Sequence, residues 1–199
     1  MEKAVLLSVH PQWCERIADG GKTIEVRKTK PKLDTPFKVY IYCTADRRKS
    51  ISDTYIPKTP LFMKNGMAKS SVGKEDGLPW KLANGKVIGE FVCKCISEWH
   101  VDPQTKGYFI TSEELTATCL TYEQLHEYGN GKTLYGWHIS NLVIYDEPRE
   151  LSEFRKPIDC HRGKDRENCI GCWDCEIKRP PQSWCYVSAT GINTSKGEN

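Results

Sequence analysis

Three ionisable residues stand close together just after a glycine pair: Lys22, Glu25 and Arg27, in the stretch Gly20-Gly-Lys-Thr-Ile-Glu-Val-Arg27. If Thr23–Arg27 is a strand, Thr23, Glu25 and Arg27 share one face while Ile24 and Val26 turn to the core. Lys22 then sits at the loop–strand junction. The result is two cations around one carboxylate, on a rigid element at the mouth of a turn. Such a set can hold a phosphate, a base edge or a polar carbonyl. The same pattern also fits an edge strand whose charges guard against aggregation, with Lys22 and Glu25 a solvated pair worth little. As a ligand site, the three side chains are expected to lie outside the core, so that their loss spares the fold.

A second group with chemical capacity lies near the C-terminus: Cys160-His161, then Cys169-x-x-Cys172-x-x-Cys175, then Cys185. A C-x-x-C pair brings two thiolates onto one tight turn, within reach of a single tetrahedral ion. Cys160, Cys169, Cys172 and Cys175 would complete a structural zinc site, with His161 or Cys185 as substitute fourth ligands. The segment Asp159–Arg179 has few aliphatic residues, so a metal would supply the stability that burial does not. An iron–sulfur cluster uses similar spacing, and reduced surface thiols are the plain alternative.

The wording of the first motif is informative. Gly20-x-Lys22-x-x-Glu25-x-Arg27 is similar to G-x-K-x-x-E-x-R, the signature of the ASCH domain family, whose members are small β-barrels resembling the PUA domain. The preceding Leu-Leu-Ser-Val-His-Pro, and the later Tyr135-Gly-Trp-His-Ile and Pro181-Gln-Ser-Trp-Cys-Tyr-Val, carry the same resemblance. It implies an α+β fold: a small PUA-like β-barrel flanked by short helices, over a single domain spanning 1–199. A basic insertion at 46–84 and a cysteine-rich insert at 155–179, before the last strand, would elaborate it.

The elements that position these residues follow from local pattern. Ala4–Val9 reads as a first strand, and His10-Pro11 opens a short helix with Trp13, Cys14, Ile17 and Ala18 on its apolar face. Gly20-Gly21 closes that helix. Phe37–Thr44 alternates as a strand, with Phe37, Val39, Ile41 and Cys43 on one face. Residues 46–84 break the pattern with prolines and glycines. Between Asp46 and Lys74 they hold seven basic and two acidic residues, including the triplet Arg47, Arg48 and Lys49. This insertion is either a mobile hairpin loop or a basic flap over a ligand. Lys86–Trp99 is the longest strand candidate, central in a curved sheet or barrel, with Gly89 at a bend. On it, Cys93 and Cys95 are expected in the core, and Glu90 could face the motif site. Ser112-Glu-Glu-Leu and Thr121-Tyr-Glu-Gln124 carry helix-start chemistry, and Leu134–Tyr145 returns to strand with His138 as a hydrogen-bonded sheet residue.

Net charge is only +3, but residues 1–74 carry 15 Lys+Arg against 7 Asp+Glu, and residues 75–199 carry 14 against 19. A basic half around the motif favours a polyanionic partner. No apolar run approaches a membrane span and no signal peptide is evident, so a cytoplasmic protein with mostly reduced cysteines is expected. The favoured function is therefore RNA or nucleotide binding. Lys22 and Arg27 would hold phosphate or base carbonyls, and Glu25 would accept from an exocyclic amine. Of the aromatic residues Trp13, Tyr40, Tyr42, Trp80 and Trp137, the resemblance places Trp137 near the ligand groove, where it would stack a base.

A hydrolase acting on RNA or modified cytidine is the second reading, since relatives include acylcytidine amidohydrolases and reported ribonucleases. Lys22 matches the amidohydrolase lysine and Glu25 takes the place of its threonine, leaving Lys22 and Glu25 as the acid/base pair and Thr23 as the nearest hydroxyl. A zinc-stabilised protein-interaction module is the third.

Overall fold

The computed structural model of the chain describes residues 2–45, 47–49, 55–71, 80–157 and 175–189. Strand β1, Lys3–Val9, is buried from Ala4 onward, so it runs through the interior. Helix α1, Pro11–Ala18, starts on proline, whose missing N–H would have had no intrahelical partner. Its buried residues Cys14 and Ile17 face the core, and Gly20, at φ 77°, takes the left-handed turn that ends it. Strand β2 is Ile24–Arg27 and β3 is Phe37–Cys43. Within the insertion, β4 (Arg47–Lys49) pairs with β5 (Tyr55–Pro57). Strands β6 (Phe62–Lys64), β7 (Met67–Lys69) and β8 (Lys81–Leu82) make a second small sheet.

The two longest strands are β9, Val87–Trp99, and β10, Leu134–Arg149. Between them lie α2, Ser112–Ala117, and α3, Tyr122–Gly129. Both helices begin with reciprocal capping boxes, Thr111 with Glu114 and Thr121 with Gln124, which satisfy otherwise unpaired N–H groups. Strand β11, Trp184–Ser188, completes the main sheet, whose order is β11-β1-β3-β9-β10-β2. Among the described strands of this sheet, only β1 and β3 pair in parallel.

The α+β expectation holds, but among the described residues the strand ladder does not close into a barrel. Strands β11 and β2 remain edges, and β11 is tied instead to the loop that follows β2. Trp184 Nε1 donates to Thr29 Oγ1 at 3.0 Å, and the Lys32 N–H donates to the Tyr186 hydroxyl at 2.7 Å. One face of the sheet packs Val5, Leu7, Val39, Ile41, Phe91 and Trp137 against Cys14 and Ile17 of α1. The other buries Leu6, Tyr40 and Val87 with Phe154. A third cluster, Ile24, Val26 and Trp99 with Leu125 and Leu134, ties α3 to the β2 end.

Several expectations change on this frame. Leu61, Met63, Ala68 and Ala83 of the insertion belong to the main core, so the β6–β7–β8 part is docked structure rather than a loop. Cys93 is buried as expected, but Cys95 is exposed, at the register shift of the β9–β10 ladder between Cys93 and Ile96. Gly89 marks close approach: a Cβ there would lie 2.4 Å from the Val143 carbonyl oxygen, at an irregular stretch of the β9–β10 ladder. Glu90 does not face the motif site. Its neighbours Gly89 and Phe91 turn to the core face, and Glu90 lies on the other, hydrogen-bonded by Lys38 at 2.9 Å and by the Tyr145 hydroxyl at 2.8 Å. Among the described residues no helix is long and apolar enough to cross a membrane.

Candidate functional site

A cleft of about 360 Å³ opens between the end of β1, the start of α1, β2 and the approach to β11. Lys22, Glu25 and Arg27 all line it. Alternation along β2 places Ile24 and Val26 in the apolar cluster with Trp99, and Glu25 and Arg27 on the opposite side, as expected. The expectation that the charged side is open to solvent is wrong. Lys22, Glu25 and Arg27 are only 2%, 5% and 8% exposed, because other elements cover them.

Each covering contact can be named. The Lys22 N–H donates to the Arg16 carbonyl, which fixes the turn after α1 and aims the side chain inward. Its Nζ donates to the Thr118 carbonyl at 2.5 Å, capping the end of α2, where carbonyls lack intrahelical partners. The same ammonium lies 3.4 Å from Glu25 Oε2 and 5.1 Å from the centre of the Trp13 ring. Arg27 Nη2 reaches Glu25 Oε1 at 2.7 Å and donates to the Ser8 carbonyl at 2.6 Å, which bridges β2 to β1. Arg27 Nε is buried with no partner among the described residues. Beneath the triad, burial pushes the Cys14 thiol well up, and the adjacent Cys43 thiol and the Glu25 carboxylate add to the rise. Cys14 is thus a neutral group of the core, buried rather than lining the cleft.

The rim is mixed. Tyr128, whose hydroxyl is pushed up by burial, carries Lys28 Nζ 4.8 Å from its ring centre. His10 Nδ1 and Thr44 Oγ1 are 3.4 Å apart on the facing side. Buried Ser8 donates its hydroxyl to the Pro181 carbonyl at 2.6 Å, which holds Gln182 and Ser183 against the cleft.

The remaining expected site residues are distributed as follows. Thr23 is exposed and does not line the cleft, since β2 begins one residue later and Thr23 is committed through its backbone to Ala117 and Ile139. Trp137 stands directly opposite Glu25 in the β2–β10 ladder, so it is near the site. Its ring is nevertheless 0% exposed, edge-on to Phe37 and tilted against Trp184, and offers no face to a base. Trp13, by contrast, lines the cleft. Arg47, Arg48 and Lys49 form β4. His138 is a sheet residue as expected, 2.9 Å from Ser97 Oγ, and burial lowers its pKa.

Cys160, Cys169 and Cys172, with His161, lie outside the described residues. Of the zinc set only Cys175 is described, buried, its carbonyl accepting from the Lys156 N–H at 2.8 Å. Among the described residues no cluster of three His, Cys, Asp or Glu could hold a metal. Ser8, His10, Gln182 and Ser183 were not assigned from sequence, although they lie in the two stretches that extend the family resemblance. Leu120 and Tyr128 had no such signal.

No protein-family model matches the chain, and no curated protein matches it in sequence. Solved structures do. A serine-to-alanine mutant of the ASCH protein from Zymomonas mobilis aligns over 94% of this chain and 89% of that one, at 16% identity and a TM-score of 0.53. The crystal structure of ASCH from the same organism aligns over 94% and 88%, at 16% identity and a TM-score of 0.47. The chain therefore has an ASCH-type fold.

Proposed function

We propose that the chain is an ASCH domain that binds RNA, with the cleft receiving one nucleotide of a single-stranded region. The observation that carries this reading is the charged triad on the wall of an open cleft, with an aromatic ring beside it. Burying an ion triad costs desolvation, and well-packed apolar residues often serve stability equally well or better. A base edge, by contrast, needs donors and acceptors in fixed places. Lys22 and Arg27 supply donors to a base carbonyl or a phosphate oxygen, and Glu25 accepts from an exocyclic amine. Trp13 offers the stacking surface, and Lys28 at the rim faces the backbone.

The test is fluorescence anisotropy of labelled single-stranded RNA over a range of salt. Affinity should fall as salt rises, through counterion release. Arg27→Lys keeps the charge but loses the planar fork, and should weaken binding about tenfold. Salt-independent binding, or none, overturns the reading. The same incubations, with acylated cytidine alongside, separate a binder from a hydrolase using Lys22 and Glu25: only the latter yields cleaved product.

A further inference from the structure

The insertion presents a surface that the cleft does not use. In the β6–β7 ladder Met63 and Ala68 stand opposite one another and turn into the main core. Strand alternation sends Phe62, Lys64, Met67 and Lys69 the other way, and register places Leu82 of β8 beside Phe62. The Trp80 ring has two cations over it, Lys69 Nζ 5.7 Å and Lys64 Nζ 6.0 Å from its centre. Met67 and Leu82 on the same face are 47% and 39% exposed. Charges alone would protect a small sheet from aggregation. Exposed apolar side chains around a tryptophan are a liability unless something is meant to lie on them.

We propose that this face is a second RNA subsite, a stacking platform for a base of the same strand that enters the cleft; it rests on the RNA reading of the cleft. Every nucleobase has a flat π-face that an indole accepts without regard to sequence, and Lys64 and Lys69, which lie over the ring here, would swing out to the flanking phosphates as the base enters. Charge is complementary at the ring itself, where Lys64 and Lys69 converge on Trp80. Placement supports continuity. The Ser70 N–H and hydroxyl both donate to Glu15 Oε1, at 3.0 and 3.2 Å, which ties the end of β7 to α1. Helix α1 also carries Trp13 at the cleft. The cleft and the small sheet are thus joined through one helix.

The experiment compares anisotropy titrations of labelled oligouridine of about 4 and about 16 nucleotides, the span of known single-strand sites. Trp80→Leu should weaken the longer RNA about tenfold, the loss of one stacked base, and leave the shorter unchanged. A Lys64→Gln/Lys69→Gln double variant should lower the salt slope of the longer RNA by about 2. Arg27→Lys should weaken both lengths. If Trp80→Leu does not fold, the lysine pair decides alone. Unchanged binding of the longer RNA by the platform variants, with both lengths weakened by Arg27→Lys, removes the platform and keeps the cleft. Equal weakening of both lengths by Trp80→Leu also removes it. Failure of the native protein to bind either RNA removes the cleft reading and the platform together. An acidic peptide that binds through Trp80 while RNA binding ignores it would make the face a protein-docking surface and overturn the proposal.

Discussion

Glu25→Gln isolates the charge at the centre of the triad. The substitution keeps shape and hydrogen-bonding reach, yet leaves Lys22 and Arg27 facing one another with no carboxylate between them. An exposed pair would register little. Here the carboxylate is 5% exposed and its partners are covered by Thr118, Ser8 and Trp13, so little water can replace it. Removing one partner from a buried ion pair costs about 3–5 kcal/mol. Because the amide oxygen still accepts from Arg27, the lower end applies, about 3 kcal/mol. For a chain of this size each kcal/mol moves the melting temperature by about 2–4 °C, so a fall of about 6–12 °C is expected. The assay is thermal unfolding followed by circular dichroism, with Lys30→Gln as the control. Lys30 pairs with Glu98 at the surface, and its loss should leave the melting temperature unchanged. Adding Lys22→Met to Glu25→Gln should recover part of the loss by removing an uncompensated cation. A melting temperature untouched by Glu25→Gln would refute the reasoning, because it would mean that water reaches the triad.

Three further outcomes are expected elsewhere. Gly89→Ala should lower stability by about 1–3 kcal/mol in urea unfolding, since its Cβ would lie 2.4 Å from the Val143 carbonyl oxygen and the ladder must shift to admit it. At Glu90, burial pushes the carboxyl up, but hydrogen bonds from Lys38 and Tyr145 outweigh it and hold the group below its ordinary value. The stability difference between native protein and Glu90→Gln should therefore be full above about pH 4.3 and vanish as pH falls through the folded value. Metal analysis under reducing conditions should find about one zinc per chain if Cys160, Cys169, Cys172 and Cys175 bind it, and chelation should loosen 155–180 before the sheet.

What was legible in the sequence was mostly what short-range pattern controls. Strand β2 turns Ile24 and Val26 to apolar neighbours and Glu25 and Arg27 the other way, as period-two alternation requires. The Thr121–Gln124 capping box and the long β9 strand are local signals of the same kind. Burial of the triad was not legible, because its cover comes from distant segments: the Thr118 carbonyl is 96 residues from Lys22, and Ser8 lies on a strand with which β2 shares no ladder. Trp137 is expected near the ligand groove and the ladder sets it opposite Glu25, but register alone does not tell that Phe37 and Trp184 enclose its ring. Trp13 shows the reverse case. The sequence offers it both as part of the apolar face of α1 and as one of five aromatic candidates for stacking, and only the turn that brings Lys22 back over it puts it in the cleft. In the insertion, prolines and glycines hid strands too short to show a period, although Leu61, Met63, Ala68 and Ala83 anchor them in the core.

The central claim is that RNA enters the cleft beside the triad, and ultraviolet cross-linking of thiouridine-bearing single-stranded RNA tests it most directly. Adducts mapped by mass spectrometry should fall on the α1 peptide at Trp13 and on the α3 peptide at Tyr128, and Trp13→Leu should abolish the first. Binding with adducts confined to other peptides, and none on α1 or α3, would contradict the account.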